Sequence, residues 1–145
     1  MAKFALVGAR LIDGNGNIPV EDSVVVVEKD RIVGVGSRNG STLPEDTAII
    51  DVRGKTLIPG LINANVHLLD AWTFMVGIGA VEYLARFEGR LHEVIEEAAQ
   101  VALASGMTTV FDTFNALQPV LHARDRIASG KAEGARIYAA GNIVG

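Results

Sequence analysis

The fold is decided by the stretch Leu61-Ile62-Asn63-Ala64-Asn65-Val66-His67-Leu68, which follows the turn pair Pro59-Gly60. Side chains along a β-strand alternate between two faces. One face of this stretch is therefore wholly apolar, whereas the other carries the polar groups Asn63, Asn65 and His67 toward its end. Together with its flank, the pattern predicts a buried strand over residues 57–68.

The sequence after this strand alternates between helix and strand patterns. Apolar residues at helical spacing predict a helix over 90–105, which Gly106 ends. A strand over 107–112 follows, then a helix that carries Pro119 in its first turn and stops at Gly130, then a strand over 135–140. Such alternation is typical of right-handed βαβ units with a parallel sheet.

The spacing of these units predicts part of a larger architecture. A (β/α)₈ barrel needs about 250 residues, and each βαβ unit takes about 30 residues. Residues 57–145 can therefore supply about three of the eight strands. We expect the chain to be incomplete, with the rest of the barrel on a second chain or in a missing C-terminal part, because an open three-stranded sheet leaves its edges uncovered.

The segment before the barrel strands, residues 1–56, has a different sequence pattern. Short β-type runs such as Val24-Val25-Val26-Val27 are separated by turn residues such as Asp13-Gly14-Asn15-Gly16. This pattern predicts a small antiparallel β-domain. The run Gly34-Val35-Gly36 leads into no helix, so we interpret it as a turn and not as a phosphate-binding loop.

The amino-acid composition of the chain limits the kinds of molecule that it is expected to bind. The chain has 145 residues, of which 49% are hydrophobic and 21% charged, and its net charge is −4. No basic block is present, which argues against nucleic acid and anionic membrane surfaces. The longest apolar run, residues 71–81, is about half of what a membrane helix requires. The absence of cysteine leaves nitrogen and oxygen ligands for any metal, and the default location is the cytoplasm.

The polar end of the first barrel strand is the strongest candidate site. Barrels of this type place their chemistry at the C-terminal ends of the strands. There, His67 can bind a metal through a neutral imidazole, and Asn65 can offer a carboxamide oxygen to the same ion or hydrogen-bond its water. The alternative is a buried histidine, satisfied by hydrogen bonds, beside an asparagine at a strand end.

Other residues have both a functional and a structural interpretation. Asp112 ends the next strand, where its carboxylate either supports the site or makes a cap or loop hydrogen bond. Trp72, Phe74 and Met75 follow the first strand and either line an apolar substrate pocket or anchor their loop on the barrel.

Two further histidines are poor candidates for chemistry. His92 and Glu96 have the spacing of a helical metal pair, but Glu93, Glu96 and Glu97 together indicate a solvated helix face. We expect His122, on the next helix, to have a surface or packing role.

The stretch over 55–68, Lys-Thr-Leu-Ile-Pro-Gly-Leu-Ile-Asn-Ala-Asn-Val-His-Leu, resembles the signature of the metal-dependent amidohydrolase superfamily, in which the first barrel strand ends in two metal-binding histidines. Residues 106–112 and 134–141 resemble the second and third strands of that family. The resemblance implies an α/β fold, with a small composite β-sandwich domain over 1–56 and the first three βα units of a TIM barrel over 57–145.

The sequence departs from the family pattern because Asn65 replaces the first histidine and Asn63 the usual aspartate. This departure resembles the Asn-x-His subgroup that contains phenylurea hydrolase and molinate (thiocarbamate) hydrolase. The resemblance implies a divalent ion (zinc, cobalt or manganese), one or two per site, with His67 as a ligand and Asn65 assisting. The catalytic residues and remaining ligands would follow later strands, beyond Gly145.

The resemblance also implies the activity that we expect. It is hydrolysis of a urea, carbamate or thiocarbamate in a small apolar substrate by a metal-activated water. We also expect the protein to form homo-oligomers. The alternatives are an inactive scaffold with the amidohydrolase fold and a relative that acts on cyclic amides or dipeptides.

Overall fold

The structure, a computed structural model, describes residues 3–69, 81–82 and 85–142. The chain divides into two compact units between Pro59 and Gly60. Trp72, Phe74 and Met75 lie outside the described residues. Among the described residues, no helix has the length and apolar character needed to cross a membrane.

The first unit contains one five-stranded sheet in its described part. The strands are β1 (Lys3–Leu11), β2 (Val20–Glu28), β3 (Arg31–Ser37), β4 (Ala48–Asp51) and β5 (Thr56–Leu57). The order is β3-β2-β1-β4, and β5 also pairs with β1. A second layer, which the composite β-sandwich requires, remains a prediction.

The strand directions in this sheet differ from the predicted antiparallel arrangement. β1 pairs with β2, and β2 with β3, in antiparallel fashion, but β4 and β5 run parallel to β1. The reason is that β4 pairs with β1 and not with β3, the strand before it, so residues 38–47 cross the sheet from one edge to the other. A parallel pair needs such a crossover, and local patterns do not report it.

The second unit contains the parallel sheet that the sequence predicted. Its main elements are β6 (Leu61–Val66), α1 (Leu91–Ala104), β7 (Met107–Asp112), α2 (Leu117–Ala128) and β8 (Arg136–Ala139). Residues 81–82 and 85–86 are also helical. The strand order is β6-β7-β8, and both pairs are parallel.

The core of the second unit lies between the sheet and its helices. Ile95 of α1 and Val120 of α2 are fully buried there, together with Val110 of β7. Val66 and Leu68 pack against this cluster. The C-terminal part of the apolar face of the opening stretch therefore points toward the helices.

Strand β6 is shorter and more exposed than expected. The predicted buried strand over 57–68 includes Leu57, which instead belongs to β5 of the first unit. Ile62 is 65% exposed. It pairs with Thr109, the residue before the buried Val110 of β7, so it lies on the sheet face opposite the helices. The prediction of burial assumed neighbours that the described residues do not supply.

The helix pair corrects one surface prediction. Glu96 is buried, and its Oε1 accepts a hydrogen bond from Nε of Arg126 on α2 at 2.6 Å. The helical pattern of α1 marked Glu96 as solvated, but α2 packs over that side of the helix. On the same pair of helices, the rings of His92 and His122 stack with centroids 4.2 Å apart.

Candidate functional site

The polar residues singled out in the sequence lie where strands β6 and β7 end. Asn65 is the last residue but one of β6, and His67 follows the strand directly. Because β6 and β7 are parallel, their C-terminal ends meet at the same edge of the sheet. The backbone N–H of Thr113, just after β7, donates to the carbonyl of Val66 at 3.1 Å and extends the pairing to this edge.

Asn65 is exposed, and its carboxamide oxygen is oriented by a hydroxyl group. The Oγ1 of Thr113 donates a hydrogen bond to Oδ1 of Asn65 at 2.6 Å. The backbone N–H of Asn65 donates to Oδ1 of Asn63 at 3.1 Å. A carbonyl oxygen has two lone pairs, so Oδ1 of Asn65 retains one acceptor position besides the bond from Thr113.

His67 is also exposed, which is not the buried position of the alternative interpretation. Its ring meets the ring of Phe114 edge to face, with centroids 5.9 Å apart and an interplanar angle of 79°. Asn65 and His67 thus contact adjacent residues, Thr113 and Phe114, of the segment after β7. The structure brings both candidate ligands to one rim.

Asp112 is placed beneath this rim and not among the exposed groups. It is 1% exposed. Its Oδ2 accepts hydrogen bonds from the backbone N–H of Leu68 at 3.0 Å and from Nδ2 of Asn115 at 2.7 Å. Oδ1 is buried and has no hydrogen-bond partner among the described residues. Asp112 therefore makes the loop hydrogen bonds that were one of its two expected roles.

The rim residues fit a divalent metal as part of a ligand set. An imidazole nitrogen and a carboxamide oxygen are both acceptable donors to zinc-like ions, although the oxygen is the poorer of the two. In the described part of the chain, no cluster of three or more histidine, cysteine, aspartate or glutamate side chains is placed to hold an ion. A metal ion at this rim would need further ligands from outside the described residues.

Comparison with known proteins extends this picture. No family model matches the chain. The solved structure of molinate hydrolase is 56% identical with a TM-score of 0.91, and covers 99% of this chain. That of phenylurea hydrolase B is 54% identical with a TM-score of 0.92, again over 99%. The resemblance to the amidohydrolases is confirmed.

More distant amidohydrolase relatives agree with this. A 5-methylthioadenosine/S-adenosylhomocysteine deaminase of Bacillus cereus is 29% identical over 78% of the chain. The chain spans 31% of the molinate hydrolase and phenylurea hydrolase chains and 29% of this deaminase. The chain therefore corresponds to less than a third of each of these three proteins.

Three residues that matter at the rim were missed in the sequence, namely Thr113, Phe114 and Asn115. All three follow β7 directly. The signal was available, since polar residues after a strand end collect at the same edge as the polar end of a parallel neighbour. The motif that predicted the second strand ends at Asp112, three residues too early.

Proposed function

We propose that this chain forms the first part of a metal-dependent hydrolase that cleaves an amide-like carbonyl bond in a small apolar urea, carbamate or thiocarbamate. The observation that carries the proposal is the identity of 56% and 54% to molinate hydrolase and phenylurea hydrolase B over 99% of the chain. The joint placement of Asn65 and His67 at one rim supports it.

In this proposal, His67 holds a divalent ion (zinc, cobalt or manganese) through its neutral imidazole, and Asn65 assists. Bound to such a site, the ion would supply an activated water and polarise the substrate carbonyl. Thr113 holds Oδ1 of Asn65 in a fixed direction by its 2.6 Å hydrogen bond. Phe114 limits the rotation of the His67 ring by edge-to-face contact. The remaining ligands and the proton-handling group come from outside the described residues.

The proposal is tested by removing each donor from the full-length protein. We expect His67→Ala to abolish metal uptake and turnover, because an imidazole ligand is lost. Asn65→Ala should weaken both by about 10- to 100-fold, in the range seen when groups that support a metal site are removed. His122→Ala is the matched control, because this histidine stacks on His92 between the helices.

Metal content by elemental analysis and turnover of a phenylurea and a thiocarbamate are the two readouts. If His67→Ala and Asn65→Ala both retain the metal content and rate of the parent, the assignment is wrong. Turnover of dipeptides or cyclic amides in place of these substrates would indicate the alternative specificity, and bound metal without any turnover would indicate the inactive scaffold.

We also propose a cytoplasmic location and a homo-oligomeric state. Cell fractionation tests the location, and a measurement of native mass tests the oligomeric state.

A further inference from the structure

A buried polar pair lies directly beneath the rim that carries His67. Asp112 is 1% exposed and Asn115 is 3% exposed. Nδ2 of Asn115 donates to Oδ2 of Asp112 at 2.7 Å. Burying a polar side chain costs free energy of desolvation unless it makes hydrogen bonds. The hydrogen-bond partners of Asp112 and Asn115 therefore indicate what this pair does.

The partners of this pair belong to the ends of all three strands. Toward β6, Oδ2 of Asp112 accepts the backbone N–H of Leu68, the residue after His67, at 3.0 Å. Toward β8, the backbone N–H of Asn115 donates to the carbonyl of Gly141 at 3.1 Å. The pair lies at the end of β7 and therefore connects it by hydrogen bonds to the segments that follow β6 and β8.

We propose that Asp112 and Asn115 form a positioning pair that fixes the backbone after His67, and that Asp112 acts in it as a hydrogen-bond acceptor and not as a charged ligand. This inference rests on the proposed role of His67. Leu69, the next residue but one, is buried in the core, so the pair and the core together hold both residues that follow His67.

The use of the two carboxylate oxygens supports the acceptor role. Both donors meet the same oxygen, Oδ2, whereas Oδ1 is buried without a partner among the described residues. An amide side chain has the same shape as a carboxylate and retains one carbonyl oxygen. Asparagine at position 112 can therefore keep both hydrogen bonds, whereas alanine can keep neither.

The pair of variants Asp112→Asn and Asp112→Ala separates the two roles of Asp112 in the full-length protein. If Asp112 positions the backbone, Asp112→Asn keeps metal affinity and kcat/KM close to the parent values. Asp112→Ala then lowers both by about 10- to 100-fold, as expected when the support of a metal ligand is lost. Asn142→Ala is the control, because it removes a different hydrogen bond near the same strand ends, the one that Oδ1 of Asn142 accepts from the N–H of Leu117 on α2.

A second readout follows the position of His67 without metal or substrate. In protein with ¹³C-labelled histidine, the imidazole resonances of His67 sense the adjacent ring of Phe114 and are assigned from the spectrum of His67→Gln. We expect these resonances to move in metal-free Asp112→Ala and to stay in place in metal-free Asp112→Asn and Asn142→Ala.

The outcomes distinguish the inference from the proposed function. Unmoved His67 resonances in a folded Asp112→Ala variant overturn the positioning role, whatever the activity. Loss of metal affinity in Asp112→Asn as large as in Asp112→Ala overturns the acceptor role and favours the carboxylate charge. If the parent protein binds no metal but the His67 resonances move as expected, the positioning pair stands and the proposed function fails.

Discussion

At the scale of single residues, the hydrogen bond from Thr113 to Asn65 decides how the carboxamide faces the rim. Thr113→Val keeps the volume and branching of the side chain but removes its hydroxyl. We expect metal affinity to fall about tenfold, the lower end of the effect of such supporting groups. The matched control is Thr113→Ser, which keeps the donor. Competition with a metal-binding dye measures the affinity, and equal affinities in the two variants would contradict the orienting role.

A second prediction at this scale concerns an exposed ion pair of the first unit. Arg53 donates to both carboxylate oxygens of Asp51 and lowers the pKa of that carboxyl from 3.8 to about 2. A carboxyl whose pKa is depressed in the folded state contributes stability above its unfolded pKa. That contribution is lost as the pH falls from about 4 through about 2.

The pair is tested with Arg53→Gln and a titration of Asp51 by ¹³C NMR. We expect the pKa of Asp51 to rise part of the way toward 3.8 in the variant, because the side-chain hydrogen bonds of Arg53 are the largest cause of the depression. The bond from the backbone N–H of residue 53 is the second cause, and the variant keeps it. Added salt should reduce the difference between the two proteins, since exposed pairs are screened. An unchanged titration curve in Arg53→Gln would show that the pair does not form in solution.

The same scale shows what the sequence could predict of the site. The polar pattern of the strand placed Asn65 and His67 at the same strand end, because it depends on neighbouring residues only. Strict alternation does not hold along the whole of β6, since the register shifts between Asn63 and Val66. The partners of these residues come from a segment 48 positions away, as in the bond from Thr113 to Asn65. Such a pairing depends on strand order and register, which a local pattern does not contain.

At the scale of elements, Gly60 permits the close approach of β6 to β7. A Cβ at this position would lie 2.2 Å from both Cγ2 and Oγ1 of Thr108 and 2.7 Å from its Cβ. We therefore expect Gly60→Ala to destabilise the second unit by about 1–3 kcal/mol, the usual cost of overpacking. Urea denaturation measures this.

The double variant Gly60→Ala/Thr108→Ala provides the control for this contact. It removes the two nearest atoms but leaves Cβ of residue 108 in place, so it should recover part of the lost stability. Equal stability of the parent protein and Gly60→Ala would mean that the two strands separate easily at this point. This close approach gives Gly60 a packing role that the sequence pattern, which marked it only as the end of the preceding segment, did not predict.

The contact between α1 and α2 gives another prediction at this scale. The side chain of Glu96 is 10% exposed and that of Arg126 is 37% exposed, so the pair is only partly shielded from water. Arg126→Met leaves the carboxylate without its partner and should cost about 1–3 kcal/mol, less than a fully buried pair. Glu96→Leu/Arg126→Met should restore most of this stability. A double variant less stable than Arg126→Met would contradict the expectation.

The helices and strands themselves were predicted well because their patterns are local. The strand over 107–112 has the predicted bounds, and α1 lies within the predicted 90–105. Glu96 was misjudged because helical periodicity separates the two sides of one helix but does not report a second helix packed beside it. The parallel pairing of β4 with β1 was missed for the same kind of reason.

At the scale of the whole molecule, the described residues of the second unit cover one face of its sheet and leave the other uncovered. Val110 and Ile137 are buried beneath the helices, whereas their neighbours Phe111 and Tyr138 are exposed and stack on each other with centroids 4.7 Å apart. Ile62 is also exposed. Apolar groups in this number are normally covered in a folded protein, and the relatives are about three times as long as the chain.

We therefore expect the exposed sheet face to be covered in a protein of the length of these relatives. The chain has no cysteine of its own, so Tyr138→Cys places a single reporter thiol on this face of residues 1–145. We expect a thiol reagent to modify this position readily in the 1–145 polypeptide. In a longer protein that contains this chain, the reaction should be about tenfold slower, because a buried thiol reacts only after local opening. Mass spectrometry identifies the site of labelling. Gln100→Cys, on the exposed side of α1, is the matched control and should react at similar rates in both. Equal reactivity of the thiol at position 138 in the two proteins would show that this face stays open in the longer protein, and the predicted barrel arrangement would then be wrong.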